Sequence, residues 1–229
     1  MTFSLQAALP VLQPRNLFAI LVRAMLELRG VTCERGGRAL FSGLSCRAAA
    51  GQMLRVQGAN GSGKTSLLRM VCGLLPPVRG EVLWRGQTPA KQAEEFGRQL
   101  VYIGHAAALK DDLSARENLE IACLLGGSAV TPAQSSLALK EAGLSGRERV
   151  PARQLSQGQR RRVALARLVL AENVPLWVLD EPFNALDSAA TGWLCSLIAA
   201  QLACGGVVVL TSHQDVALDK LPGQVAVVL

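Results

Sequence analysis

Residues 53 to 71 read MLRVQGANGSGKTSLLRMV. MLRVQ predicts a short strand, and a helix is predicted from near Lys64, closed by Gly73 and Pro76-Pro77. Between them Gly58, Ala59, Asn60, Gly61, Ser62, Gly63, Lys64 and Thr65 match the pattern GxxxxGK[ST] in full. Glycines let successive backbone N–H groups turn inward around an anion, and the helix N-terminus adds positive partial charge. In such a loop Lys64 is placed for the β and γ phosphates of a nucleotide, and Thr65 for Mg2+. A chance glycine-rich turn would need neither the strand before it nor the helix after it.

Outward from the loop, the pattern continues as strands and helices. LELRGVTC (26–33) alternates apolar and polar and predicts a strand. Gly36-Gly37 predicts a turn, and 39–47 a second strand. EVLWRG (81–86) reads as a short edge strand and LVYIG (100–104) as another. Between about 110 and 160 the apolar period is helical, with Thr131-Pro132 as N-cap and first helical residue. A long helix is expected over 160–171. LWVLD (176–180) and VVVLTS (207–212) are continuous apolar runs, as parallel strands buried on both faces require. Strand–helix alternation at both ends with a helical insert predicts an α/β fold with a helical subdomain.

Two further stretches carry chemistry. Asp180 ends the apolar strand LWVLD, and Glu181 follows directly. Adjacent acids at a buried strand end are costly unless a metal or a proton transfer uses them. The expected division of labour gives Mg2+ to Asp180 and an attacking water to Glu181. Leu155, Ser156, Gln157, Gly158 and Gln159 stand at a helix start, where Ser156 can cap and free N–H groups make a second anion site.

Composition bounds the rest. The chain has 229 residues, 50% hydrophobic and 18% charged, which on a prior of about 150 residues per domain suits one globular domain or one domain with an appendage. The net charge is +7, and 19 of the 24 basic residues are arginine, a balance that suits polyanions. Aromatics at 4% argue against base-stacking platforms for nucleic acid. The six cysteines form no CxxC pair and no Cys/His zinc spacing, which points to a reducing compartment. No window of about 18 apolar residues is present. Residues 1–24 look foreign to the rest. Their apolar run, 17–22, is closed by Arg23 and lacks the flanks of a signal peptide. They are expected to be an extension, disordered or upstream of a true start at Met25, with the domain proper over 25–229.

The loop at 58–65, LSQGQ at 155–159, Asp180-Glu181 and His213 after an apolar strand together resemble the ATP-binding-cassette ATPases, over about 26 to 215. The resemblance implies a phosphate-loop NTPase core with a mixed sheet, an antiparallel β subdomain and a helical signature subdomain. It also implies a head-to-tail homodimer in which one subunit's loop and the other's signature clamp ATP. Asn184, Ala185, Leu186 and Asp187 then cross the dimer interface, and His213 contacts the γ-phosphate. Three positions depart from the family pattern. Gln157 replaces the first glycine of the signature. His105 stands where a glutamine usually meets Mg2+. Arg35 aligns with the aromatic that usually stacks on adenine, which a guanidinium can also do.

CER at 33–35, LFSGLS at 40–45, GEVLW at 80–84, YIGH at 102–105, RRVALARL at 161–168 and SHQ at 212–214 resemble a narrower family, the haem-exporter ATP-binding subunits of bacterial cytochrome c maturation. That resemblance implies a peripheral protein on the cytoplasmic side of the inner membrane, paired with an integral membrane subunit. Residues 106–125 then line the groove for that subunit, and haem or a haem-loaded chaperone is served indirectly. A soluble ATPase of an assembly machine such as iron–sulfur scaffolding, or a different exporter, shares the same motifs. Intact Lys64, Asp180, Glu181 and His213 argue against a non-hydrolysing module. The absence of paired cassettes or long insertions argues against nucleic-acid ATPases.

Overall fold

The computed structural model describes residues 26–171, 173–212, 218, 221 and 223–229; the expected extension 1–24 lies outside the described residues. β1 (Leu26–Arg35) turns through Gly36 and Gly37, at φ 59° and 75°, into β2 (Arg38–Ala48). Two successive positive φ angles give a primed turn, whose twist matches that of the flanking strands. β4 (Arg79–Trp84) pairs antiparallel with the other side of β1, so this sheet runs β2-β1-β4. At Gly80 a Cβ would lie 2.3 Å from the Arg29 carbonyl oxygen, so only glycine fits there.

The second sheet is built from β3 (Met53–Gln57), β5 (Leu100–Ile103), β6 (Leu176–Leu179), β7 (Val207–Thr211) and β8 (Gln224–Val228). Its order is β5-β6-β7-β3-β8, and each of its pairings is parallel. Strand directions are therefore mixed across the molecule but divided between two sheets. β8 stands at one edge of this sheet and pairs along the whole of β3; no strand is predicted there from the sequence, although 225–229 is an apolar run.

The helices are α1 (Lys64–Val71), α2 (Ala93–Arg98), α3 (Ala115–Leu125), α4 (Pro132–Glu141), α5 (Gln157–Leu165) and α6 (Ser188–Ala203). α3, α4 and α5 each open on a capping box: Ser114 with Glu117, Thr131 with Gln134, Ser156 with Gln159. Each box satisfies two backbone donors that a helix start otherwise leaves free. The third corrects the expectation of a helix over 160–171. Ser156 starts α5 three residues earlier, and the α-helical bonding ends at Leu165. Bonds of the i→i+3 kind then carry the turns on to Ala171. This tighter winding suits the packing, because Leu165, Leu168 and Ala171, spaced by three, all enter one core.

Three apolar clusters hold the layers together. Leu176 and Val178 of β6 face the first, with Leu54 and Val56 of β3, Leu67, Leu68 and Val71 of α1, and Leu26, Leu28 and Trp84 of the antiparallel sheet. Trp177 and Leu179 face the second, against Leu165 and Leu168 and against Leu194 and Ile198 of α6. Period-two alternation thus buries both faces of β6, which explains its continuous apolar run. The third cluster is the core of the helical subdomain: Ala115, Leu119, Cys123, Leu139, Leu144, Leu155 and Val163. The six cysteines are free. Burial, with the Asp180 charge adding to it, pushes the Cys72 thiol up to about 12, so it behaves as a small apolar side chain.

Candidate active site

The loop 58–65 leaves the C-terminal end of β3, and the ends of β5, β6 and β7 lie beside it. Gly58 has φ 149°, and a Cβ there would lie 2.6 Å from Ser62 Oγ and 2.7 Å from the Leu229 carbonyl oxygen. Gly63, at φ 105°, is the N-cap of α1. Lys64 is buried although charged; its Nζ donates to the carbonyls of Gly58 at 2.8 Å and Ala59 at 2.9 Å. Ser62 Oγ is buried with no hydrogen-bond partner among the described residues. An orphaned hydroxyl beside a lysine, at a helix N-terminus, is the donor set that phosphate oxygens fit. A cavity of about 240 Å3 stands over this loop, lined among others by Arg35, Asn60, Gly61, Lys64, Thr65 and Glu181.

Asp180, 2% exposed, is the hub beneath that cavity. Thr65 Oγ1 donates to its Oδ2 at 2.9 Å, and Thr211 Oγ1 donates to its Oδ1 at 2.9 Å. The same Thr211 oxygen accepts the Glu181 N–H at 2.8 Å. Thr65 and Asp180 offer hard oxygen ligands, and they fit Mg2+ better than any soft metal. Glu181 lies in the left-handed region at φ 47°, so the chain leaves the strand at a sharp angle. Its carboxylate accepts a hydrogen bond from Asn184 Nδ2, and His105 Nδ1 stands 3.7 Å from Oε2. His105 itself is largely exposed, just beyond β5.

The segment 155–159 forms a separate surface. Leu155 is buried in the helical core, and Ser156 and Gln157 are exposed at the start of α5. Ser156 Oγ accepts the Gln159 N–H at 3.2 Å, and Gln159 Oε1 accepts the Ser156 N–H at 2.9 Å. Gln157 lines a second cavity, of about 400 Å3, together with His105 and Asn184. Gly158 is needed for close approach: a Cβ there would lie 2.6 Å from the Ala185 carbonyl oxygen. Asp187 caps α6 by accepting the Ala190 N–H at 2.8 Å. Among the described residues, none of 155–159 lines the cavity over the phosphate loop.

The ABC transporter family model matches residues 41–184. The chain belongs to the ABC transporter family. As the ATP-binding cassette of that family it is an ATPase. It is 49% identical to the cytochrome c biogenesis ATP-binding export protein CcmA of Dechloromonas aromatica, over 84% of this chain and 94% of that protein. With the protein of the same name in Albidiferax ferrireducens it shares 50% identity, over 87% and 94%. Among solved structures, an ATP-binding subunit of an ABC transporter superposes with TM-score 0.78 at 26% identity, covering 89% of this chain and 85% of that one. A dimeric ATP-binding cassette in a post-hydrolysis state with ADP and Pi superposes with TM-score 0.71 at 25% identity, covering 82% and 88%.

Two residues of the cassette's site escaped the sequence reading. Thr211 lies within the predicted strand 207–212, and its hydroxyl, with that of Ser212, could have been noticed as polar at the end of an apolar run. Arg161 sits in Arg160-Arg161-Arg162, a run for which no role at the site is expected from the sequence. The structure instead buries its guanidinium, 4% exposed, among five carbonyls. Nη1 donates to Gly104 at 2.7 Å and His105 at 3.3 Å; Nη2 donates to Asp180 at 2.8 Å and Glu181 at 2.9 Å; Nε donates to Pro182 at 3.3 Å. Burial lowers its pKa from the usual guanidinium value, and the charges of Asp180 and Glu181 oppose that shift. His213 lies outside the described residues.

Proposed function

We propose that this cassette is the ATP-hydrolysing subunit of a membrane export complex in cytochrome c biogenesis. The observation that carries this reading is the roughly half identity, over more than nine-tenths of their length, to export proteins of that process. In this reading residues 58–65 hold the phosphates, with Lys64 on the β and γ positions, and Arg35 stacks on the base. Thr65 and Asp180 hold Mg2+, which neutralises phosphate charge when bound. Glu181 takes a proton from the attacking water, with Asn184 and His105 orienting its carboxylate. His213 contacts the γ-phosphate.

Residues 155–159 act on the nucleotide of a second copy. The separation of the two surfaces within one chain supports that, and so does the dimeric neighbour bound to ADP and Pi. No described helix is long and apolar enough to cross a membrane. In this reading the pore belongs to an integral membrane subunit, which the cassette meets through 106–125. The protein is then peripheral, on the cytoplasmic face of the inner membrane. Haem, or a haem-loaded chaperone, is served through that partner and is not held by the cassette. Residues 1–24 are an extension outside the domain.

Affinity purification from detergent-solubilised membranes, with partners identified by mass spectrometry, tests the reading. Co-purification with an integral membrane protein, and loss of covalently attached haem from c-type cytochromes on depletion, are the expected results. Recovery with only soluble iron–sulfur assembly proteins would overturn it.

A further inference from the structure

Arg161 makes contacts that neither nucleotide binding nor simple solvation calls for. Its two Nη atoms face different loops. Nη1 reaches the carbonyls of Gly104 and His105, just after β5, while Nη2 and Nε reach those of Asp180, Glu181 and Pro182, just after β6. The side chain itself belongs to α5, five residues beyond Ser156. One buried group therefore joins three segments that are far apart in sequence. The loop after β6 has particular need of it: Glu181, a residue with a Cβ, is held at φ 47°. Such a conformation persists only where the surroundings over-determine it.

We propose that Arg161 is a positioning residue for hydrolysis. Its guanidinium holds the loops bearing His105 and Glu181 to the signature helix, so that the three move as one body. Glu181 then keeps its carboxylate against His105, at the 3.7 Å separation, only while the clamp is made. A displacement of Ser156 and Gln157 by a second subunit becomes a displacement of Glu181. Lysine cannot substitute, because a point ammonium cannot reach two sets of carbonyls that a planar fork reaches from its two sides. Lys64 and Thr65 are held by bonds that do not involve Arg161. The inference rests on Glu181 serving hydrolysis.

The test is R161K and R161Q in the full chain, read by steady-state ATPase kinetics, fluorescent-ATP affinity and thermal melting. The expected result is a fall in kcat of at least fivefold in both, with ATP affinity within threefold of wild type. A smaller fall overturns the proposal, and so does a parallel loss of kcat and ATP affinity, which is what general damage gives. Hydrogen exchange on the wild-type chain needs no variant. Amides of 104–106, 157–161 and 181–184 should gain protection together when Mg-ATP is added, and segments that respond separately overturn the clamp. Unchanged turnover in E181Q would instead remove the role of Glu181 and leave the exchange result standing.

Discussion

Replacing Thr211 by valine keeps its shape and removes one hydroxyl. That hydroxyl, fully buried, donates to Asp180 and accepts from the Glu181 N–H. The lost donor to a carboxylate is worth about 1.5–3 kcal/mol, and the orphaned buried N–H costs about 1–3 kcal/mol. The two effects share one group and do not add fully, so a net destabilisation of about 2–4 kcal/mol is expected. For a chain of this size each kcal/mol moves the melting point by about 2–4 °C, giving a drop of roughly 5–15 °C. T211S is the control. It keeps the hydroxyl and loses a methyl, at about 1 kcal/mol for the apolar contact. Differential scanning fluorimetry of the three proteins, without nucleotide, reads the order wild type, Ser, Val. A valine variant melting at or above the serine variant would refute the reasoning. Packing at Thr211 would then outweigh the polar network under the site.

Two other changes probe the site and the domain boundary. Lys64→Ala should weaken ATP binding by a hundredfold or more, since two charge-assisted bonds at about 1.5–3 kcal/mol each are lost; labelled ATP bound within threefold of wild type would refute the phosphate-loop assignment. A chain starting at Met25 should match the full chain in melting temperature and turnover, because β1 begins at Leu26; a fall in either, read by fluorimetry and phosphate release, would show that 1–24 packs on the domain.

The parts of the fold that were legible in the sequence are those whose signal is local. Gly36-Gly37 announced its hairpin because two positive φ angles suit glycine. The caps at Thr131 and Ser156 were legible directly because they start helices through bonds within four residues, whereas the same box at Ser114 was not read. Asp180 was legible because an acid ending an apolar strand needs a reason. What stayed hidden depends on contacts distant in sequence. β8 pairs on the edge that β3 offers, and its apolar run 225–229 does not by itself say which strand it joins. The need for glycine at 158 comes from the Ala185 carbonyl, 27 positions away. Arg161 is one of three consecutive arginines, and nothing in the sequence separates it from its neighbours; its partners are the loops after β5 and β6. The antiparallel sheet was expected from the family resemblance, and the parallel strands 176–180 and 207–212 from their continuous apolar runs.

Glu181→Gln tests the central claim most directly. The amide keeps the shape of the side chain at φ 47° but cannot take a proton. Loss of a general base costs about 10²- to 10⁴-fold. Lys64, Thr65 and Asp180 remain to hold nucleotide and metal. The account predicts phosphate release at least a hundredfold slower, ATP affinity retained, and a dimer that accumulates in size exclusion with Mg-ATP. Unchanged turnover would contradict it, and lost turnover together with lost ATP binding would make Glu181 a structural residue.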